Sequence, residues 1–206
     1  MIPPLTLEGR YVRLEPLSLQ HVLPLLEIAT GPRETFGFSF VPRDEPSMRA
    51  WVASALADHV GGRALPFATV DRRASRVVGS TRFGNIELWA WPPGDPHQRG
   101  GDVPDVAEIG WTWLSPHAQR TGINTEAKLL MLTHAFETWR VHRVSLVTDA
   151  RNTRSREAIL RLGARLDGIL RAARVAADGG IRHTAAYSIV EEEWPSVKSG
   201  LLARLR

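Results

Sequence analysis

The densest group of chemistry-bearing residues lies between Ser115 and Lys128, in SPHAQRTGINTEAK. Gln119 and Arg120 bring side-chain donors, Gly122 lets a ligand approach the backbone closely, and Asn124 and Thr125 are turn and capping residues. An apolar run, AEIGWTWL (Ala107 to Leu114), precedes this segment. After it, Leu129, Leu130, Leu132, Ala135, Phe136 and Trp139 recur at the spacing of an amphipathic helix. The segment therefore turns from a buried strand into a helix. The first N–H groups of a helix lack intrahelical acceptors, and the helix dipole adds partial positive charge there. Gln119 to Thr125 accordingly reads as a cradle for phosphate, or as a plain helix start capped by Asn124 or Thr125.

A carboxylate, Glu108, stands inside the apolar strand. With period two it shares a face with Gly110 and Thr112, while Ile109, Trp111 and Trp113 take the other face as core. Such a carboxylate either accepts a proton in catalysis or makes a structural ion pair. The seven histidines show no metal-ligand spacing: His134 reads as a surface or half-buried helix residue, and His117 is near enough to the turn to touch phosphate. With no cysteine there is no thiolate nucleophile, no disulfide framework and no thiolate-held metal, and no metal site is expected.

The positioning elements follow from the rest of the chain. A length of 206 residues, 43% hydrophobic and 23% charged, fits one domain over 1–206 with a sizeable core. The net charge of +4 suits a polyanionic cofactor, and no block of consecutive basic residues points to nucleic acid. No run is apolar enough for a membrane span, and MIPPLTLEGR shows neither region of a signal peptide, so a cytoplasmic location is the expectation. Leu7 to Leu17 reads as a first strand with Tyr11 and Leu14 in the core. Helices are expected from Ser18 to Ala29 and over Glu45 to Val60. Between them Phe36, Phe38 and Phe40 alternate, as a short buried strand or as the lining of an acceptor pocket. Leu65 to Val70 and Val77 to Phe83 form a hairpin. The Pro/Gly-rich stretch 89–105 is an exposed loop beside the turn and able to cover it, with Trp89 and Trp91 as core, acceptor wall or subunit contact. Further on come a strand (His142 to Asp149) and a helix (Thr153 to Leu162) stopped by Gly163. A strand pair (Ala164 to Ala176, Ile181 to Val190) and a closing helix (Glu192 to Arg206) end the chain. This order predicts a mixed α/β sheet with helices on both faces.

DARNTRSREAILRLGA (Asp149 to Ala164), taken with AEIGWTWLSPHAQRTGINTEAKLL, resembles the GNAT acyltransferase superfamily, in its ribosomal-protein N-acetyltransferase (RimJ/RimL-type) branch. Nearly the whole chain, from LEGRYVRLEPL to RHTAAYSIVEEEWPSV, can be laid on that fold. The family's Gln/Arg-x-x-Gly-x-Gly/Ala loop falls on Gln119 and Gly122, with Asn124 where Gly or Ala is usual. The resemblance implies a GNAT fold, with a mostly antiparallel, V-split central sheet. It also implies transfer of an acetyl or other short acyl group from acyl-CoA to a primary amine, by direct attack and without a covalent enzyme intermediate. The cofactor-binding set it implies is Trp113, Leu114, Gln119, Arg120, Thr121, Gly122, Ile123, Asn124, Thr125, Asn152 and Ser155. Glu108 takes the place of the strand carboxylate that serves as base. Ser155 is the implied donor to the leaving thiolate, with an ordered water as the alternative, because the position where many relatives carry Tyr is Ile159. The implied acceptor is a small amine or a protein N-terminus, and a homodimer is compatible. The other function the resemblance allows is a catalytically silent acyl-CoA sensor of the same fold.

Overall fold

The structure, a computed structural model, describes residues 2–101 and 103–205. One eight-stranded sheet runs through it in the order β1-β2-β3-β4-β5-β6-β8-β7. The strands are β1 (Leu7–Glu8), β2 (Val12–Pro16), β3 (Leu65–Asp71), β4 (Arg76–Glu87), β5 (Val106–Leu114), β6 (Arg143–Asp149), β7 (Arg165–Val175) and β8 (Ile181–Val190). Every neighbouring pair is antiparallel except β5 and β6. That parallel pair holds for three rungs only, Val106↔Arg143, Ala107↔Val144 and Glu108↔Ser145, after which the strands part. The V-split sheet expected from the sequence is present.

Helices cover both faces. On one side α1 (Val22–Ala29) and α2 (Glu45–Val60) pack over a core that includes Leu25, Met48, Val52 and Trp113. The other side carries α3 (Gly122–Thr133), α4 (Thr153–Leu162) and α5 (Trp194–Arg204) on a larger core with Phe67, Phe83, Met131, Leu132 and Ile189. The α2 helix keeps its expected bounds because its start is locally encoded: Asp44 accepts from the Ser47 amide at 2.8 Å, and a proline stands in the first turn. The α4 helix ends at Gly163, whose φ of +100° is a left-handed stop. A π-helical turn over His134–Trp139 continues α3, with His134 half-buried between Phe83 and Trp139. The closing helix begins at Trp194 after a 3-10 turn, not at Glu192; Arg206 lies outside the described residues.

Four expectations are corrected. Leu7 to Leu17 is not one strand but two, folded back so that Leu7 faces Leu14. The cause is remote: the Glu126 carboxylate on α3 accepts the backbone N–H groups of Arg10 (2.8 Å), Tyr11 (2.6 Å) and Val12 (2.9 Å) and so pins the turn. Phe36 to Phe40 forms a 3-10 turn and loop, with Phe36 buried and Phe38 and Phe40 exposed, because Arg33 clamps the segment through the carbonyls of Ala29, Val41 and Pro42. The β5 strand does not keep period two. Trp111 has φ +50° at a bulge opposite Thr81, so Thr112 turns toward α3 while Trp113 joins the α2 side. Last, the 89–105 loop does not cover the turn after β5. Asp105 accepts the Trp89 amide (2.6 Å) and the Trp91 indole N–H (2.7 Å), and Trp89 stacks on His142. These anchors stand at the start of β5, about 25 Å along the strand from the turn. Neither tryptophan belongs to a core cluster, and Asp102 lies outside the described residues.

Glu126 is buried and serves three donors, one of them the buried Val12 amide. Replacing it with Ala should cost about 2–4 kcal/mol, since charged acceptors are worth more than neutral ones and buried amides are left unpaired. The Glu126→Ala protein should melt roughly 5–15 °C lower in a thermal scan at neutral pH.

Candidate active site

The wedge between β5 and β6 has a floor, two walls and a mouth. Its floor is the last paired rung, where Glu108 lies opposite Gly84 on β4 and Ser145 on β6. Glu108 is buried, and its Oε2 accepts a 2.9 Å hydrogen bond from the Asn85 amide. Asn85 itself holds φ +43°, an uncommon conformation for a side-chain-bearing residue. Burial pushes the Glu108 carboxyl above the ordinary carboxylate range, against the opposing pull of Asn85, Arg174 and Arg182. No counter-cation touches it among the described residues, so the carboxylate is not the partner of a tight ion pair.

Beside Glu108 lies the bulge. Any side chain at Gly84 would overlap the Trp111 ring, so a glycine is needed opposite the carboxylate. Trp111 is capped by the Arg82 guanidinium, 5.0 Å from its ring centroid, and Arg82 also lies 5.1 Å from the Trp51 ring. Burial lowers the Arg82 pKa to about 10, only partly countered by Asp58.

At the mouth the turn after β5 meets the start of α4. The cap of α3 is Thr121, whose Oγ1 accepts from the Ile123 amide at 3.3 Å and donates to the Ala118 carbonyl at 2.7 Å. Asn124 and Thr125, expected as caps, sit inside the first helical turn instead. The amides of Thr121, Gly122 and Asn124 precede the first i→i−4 acceptor and form the anion-attracting end. Arg120, in a left-handed conformation at φ +60°, and His117 are exposed beside them. Trp113 and Leu114 are both buried in the two cores, and Leu114 reaches the turn only through its carbonyl, which accepts from Gln119.

Gln119 is bound on three sides. Its Nε2 donates to Thr35 Oγ1 and to the Leu114 carbonyl, both at 2.9 Å, and its Oε1 lies 3.4 Å from an Arg154 nitrogen. Arg154 also donates to the Thr35 carbonyl. Sequence reasoning missed this bridge, because Thr35 and Arg154 are far apart in the chain and neither belongs to a motif. Asn152 caps α4, accepting the Ser155 amide at 3.1 Å; its capping and ligand-facing roles are compatible, since the amide N–H₂ remains for a ligand. Both Asn152 and Ser155 are half-buried. Arg151 completes the rim. It binds the buried Asp149 (2.8 Å) and Asp178 of the β7–β8 turn (2.8 Å), with its guanidinium 5.4 Å from the Phe38 ring. Outside this rim a cleft of about 410 Å³ runs between the Phe36 and Phe40 loop and Ala177. No group of three or more metal-ligating side chains occurs among the described residues.

The structure thus gathers Gln119, Gly122, Asn152 and Ser155 at one end of the wedge and puts Glu108 at the other. An anionic chain held at the mouth can send a reactive group down to a buried carboxylate of raised basicity.

Comparison with known proteins gives the family and the fold. A family model described as an acetyltransferase (GNAT) domain matches residues 12–165. No curated protein matches the sequence. Among solved structures, a GCN5-related N-acetyltransferase from Brucella melitensis superposes with a TM-score of 0.83 at 28% identity, covering 100% of this chain and 87% of that one. A T. thermophilus protein assigned as an acetyltransferase gives 0.79 at 33% identity, with 100% of both chains covered. Mycobacterium smegmatis RimJ, solved in complex with CoA-disulfide, gives 0.78 at 23% identity over 98% of this chain and 95% of that one.

Gly122 meets a neighbour that its sequence does not reveal. A Cβ there would come within 3.2 Å of the Tyr11 ring. Gly122→Val should therefore cost about 1–3 kcal/mol by overpacking, before any ligand is considered. Urea melts should show at least half of that loss recovered when Tyr11→Leu is added to make room.

Proposed function

Because the chain belongs to the GNAT acetyltransferase family, we propose that it is an N-acyltransferase that moves an acetyl group from acetyl-CoA to a primary amine in a ternary complex. The observation that carries this reading is the wedge itself, with an anion-attracting helix start at its mouth and a buried carboxylate at its floor. The CoA pyrophosphate lies against the amides of Thr121 to Asn124, with Gln119, Arg120 and Thr125 around it. The pantetheine arm passes Asn152 and follows the unpaired edge of β5 past Leu114 and Trp113. The whole chain acts as one catalytic domain.

Direct transfer needs a neutral amine, an acceptor for its proton and stabilisation of the departing thiolate. Glu108 is the acceptor. Its raised pKa makes it a stronger base than an exposed carboxylate, and it lies too deep to be lost to solvent. Ser155, in the first turn of α4, donates to the thiolate, with the dipole of that helix adding to the stabilisation. The acceptor enters from the cleft between the Phe36 to Phe40 loop and the β7–β8 turn, on the α2 side of the sheet. This opening, lined by Phe36, Phe40 and Val41, has room for the end of a peptide or for a small molecule.

Release of free thiol from acetyl-CoA, followed over a panel of small amines and peptide N-termini, tests the activity. Binding of CoA with no thiol release from any acceptor would favour the silent sensor. With an active acceptor in hand, the rate should rise with pH through one ionisation that lies above the ordinary carboxylate range, because the base must be ionised. Glu108→Gln should flatten that limb and lower kcat/KM roughly 10²–10⁴-fold near neutral pH. An unchanged profile in a folded variant removes Glu108 from the reaction. Ser155→Ala should lower kcat about tenfold or more and leave CoA affinity, read by calorimetry, within about twofold of the parent.

A further inference from the structure

On the far side of β5 from Glu108, one lysine is buried without an ionic partner among the described residues. Lys128 on α3 is 5% exposed, and its Nζ donates to Thr81 Oγ1 on β4 at 2.8 Å and to Thr112 Oγ1 on β5 at 2.7 Å. The two hydroxyls lie 2.8 Å from each other, and each lies 3.4 Å from the carbonyl oxygen of Gly110. Gly110 and Thr112 flank Trp111, the left-handed residue of the bulge. The lysine thus grips the bulge from beneath, through both strands that form it.

The other charged groups around it do not neutralise it. Glu126 on the same helix is spent on the turn before β2. Arg82 on β4 and Glu108 on β5 project from the opposite face of the sheet. Met131 brings only a sulfur, 3.9 Å from Thr81 Oγ1. Burial alone accounts for a pKa lowered to about 7. An isolated buried amine is costly, and an apolar side chain of like volume would serve the core better. Its position at the bulge gives a reason for its presence.

We propose that Lys128 is a positioning residue for the acyl group, fixing through Thr81 and Thr112 the Gly110 to Thr112 peptides that border the open wedge. The proposal rests on the reading of that wedge as the thioester site. A chain running from the turn at Gln119 down to Glu108 must pass these peptides, and beyond Glu108 this edge of β5 has no partner strand. Preorganised backbone donors at that point bear on the carbonyl oxygen as negative charge develops there.

Three measurements on Lys128→Met, Thr112→Val and Thr112→Ser test this. The first is stability. Between pH 10.5 and about 7 the unfolded chain binds a proton at Lys128 that the folded chain resists, so the parent loses stability as pH falls through that window. Lys128→Met should melt above the parent at pH 7, with the gap narrowing toward pH 10. The second is amide exchange: peptides covering 109–114 should exchange about tenfold faster or more in Lys128→Met and Thr112→Val, with α3 unchanged, and Thr112→Ser should restore protection. The third is kinetic: kcat should fall about tenfold or more while KM for acetyl-CoA stays within about threefold.

Unchanged exchange over 109–114 in both Lys128→Met and Thr112→Val overturns the proposal. So does faster exchange spread equally over α3 and β4, or a more stable Lys128→Met with the parent's kcat. If Lys128→Met does not fold, the Thr112→Val and Thr112→Ser pair decides the question. If the parent transfers no acyl group to any acceptor, the functional reading fails while the exchange data still decide the role of the lysine.

Discussion

The parting of β5 and β6 after three rungs is the constraint on which the rest of this structure depends. Two parallel strands side by side would ordinarily satisfy each other's backbone groups, and a sheet interior tolerates no unpaired edge. Here the bulge at Trp111 bends β5 away just past Glu108, and the strands diverge as they run toward α3 and α4. A slot with backbone on both sides is the result. Its mouth falls between two helix starts, because β5 leads through a short turn into α3 and β6 leads into α4.

Holding the slot open requires support from both faces of the sheet. On the α2 side, Arg82 is pressed between the rings of Trp51 and Trp111 and fixes where the bulged residue points. On the α3 side, the helix is tied at its start to the first hairpin through Glu126 and in its middle to the bulge through Lys128. The α3 helix therefore cannot shift without disturbing both. That coupling explains how the helix start at Gly122 and a carboxylate on a neighbouring strand can keep a constant separation.

Much of this was legible in the sequence, and the parts that were not share a cause. The α2 helix, the α4 helix with its Gly163 stop, and the β3–β4 and β7–β8 hairpins announce themselves through caps, turns and periodicity within a few residues. Gln119 and Gly122 stand out in the strand-to-helix turn, Asn152 and Ser155 through the family resemblance, and Arg154 in the first turn of α4 reaches Gln119. What escaped was set by contacts distant in sequence. The hairpin at Arg10 to Val12 depends on Glu126, more than a hundred residues away, and Leu7 to Leu17 carries no turn signal beyond Gly9. The reversal of Trp111 and Thr112 follows from a one-residue bulge that no periodicity can show, since a strand's alternation looks the same on either side of it. Gln119 was legible as a donor, but its binding to Thr35 and the Leu114 carbonyl was not. Lys128 was visible only as one of two lysines in a chain whose other basic residues are arginine.

The two buried ionisable groups on either side of β5 bear on how such a site works. Burial raises the pKa of Glu108 and lowers that of Lys128, so each is driven toward its neutral form. An acceptor amine of the proposed reaction must lose a proton before or as it attacks. In its ionised form a carboxylate of raised pKa is the stronger base, and it accepts that proton more readily once bond formation makes the nitrogen acidic. On the other face, a partly charged lysine behind the Gly110 to Thr112 peptides favours negative charge growing beyond them. Burial thus sets opposite tendencies on the two faces of one strand, and the bulge brings both within reach of the same slot.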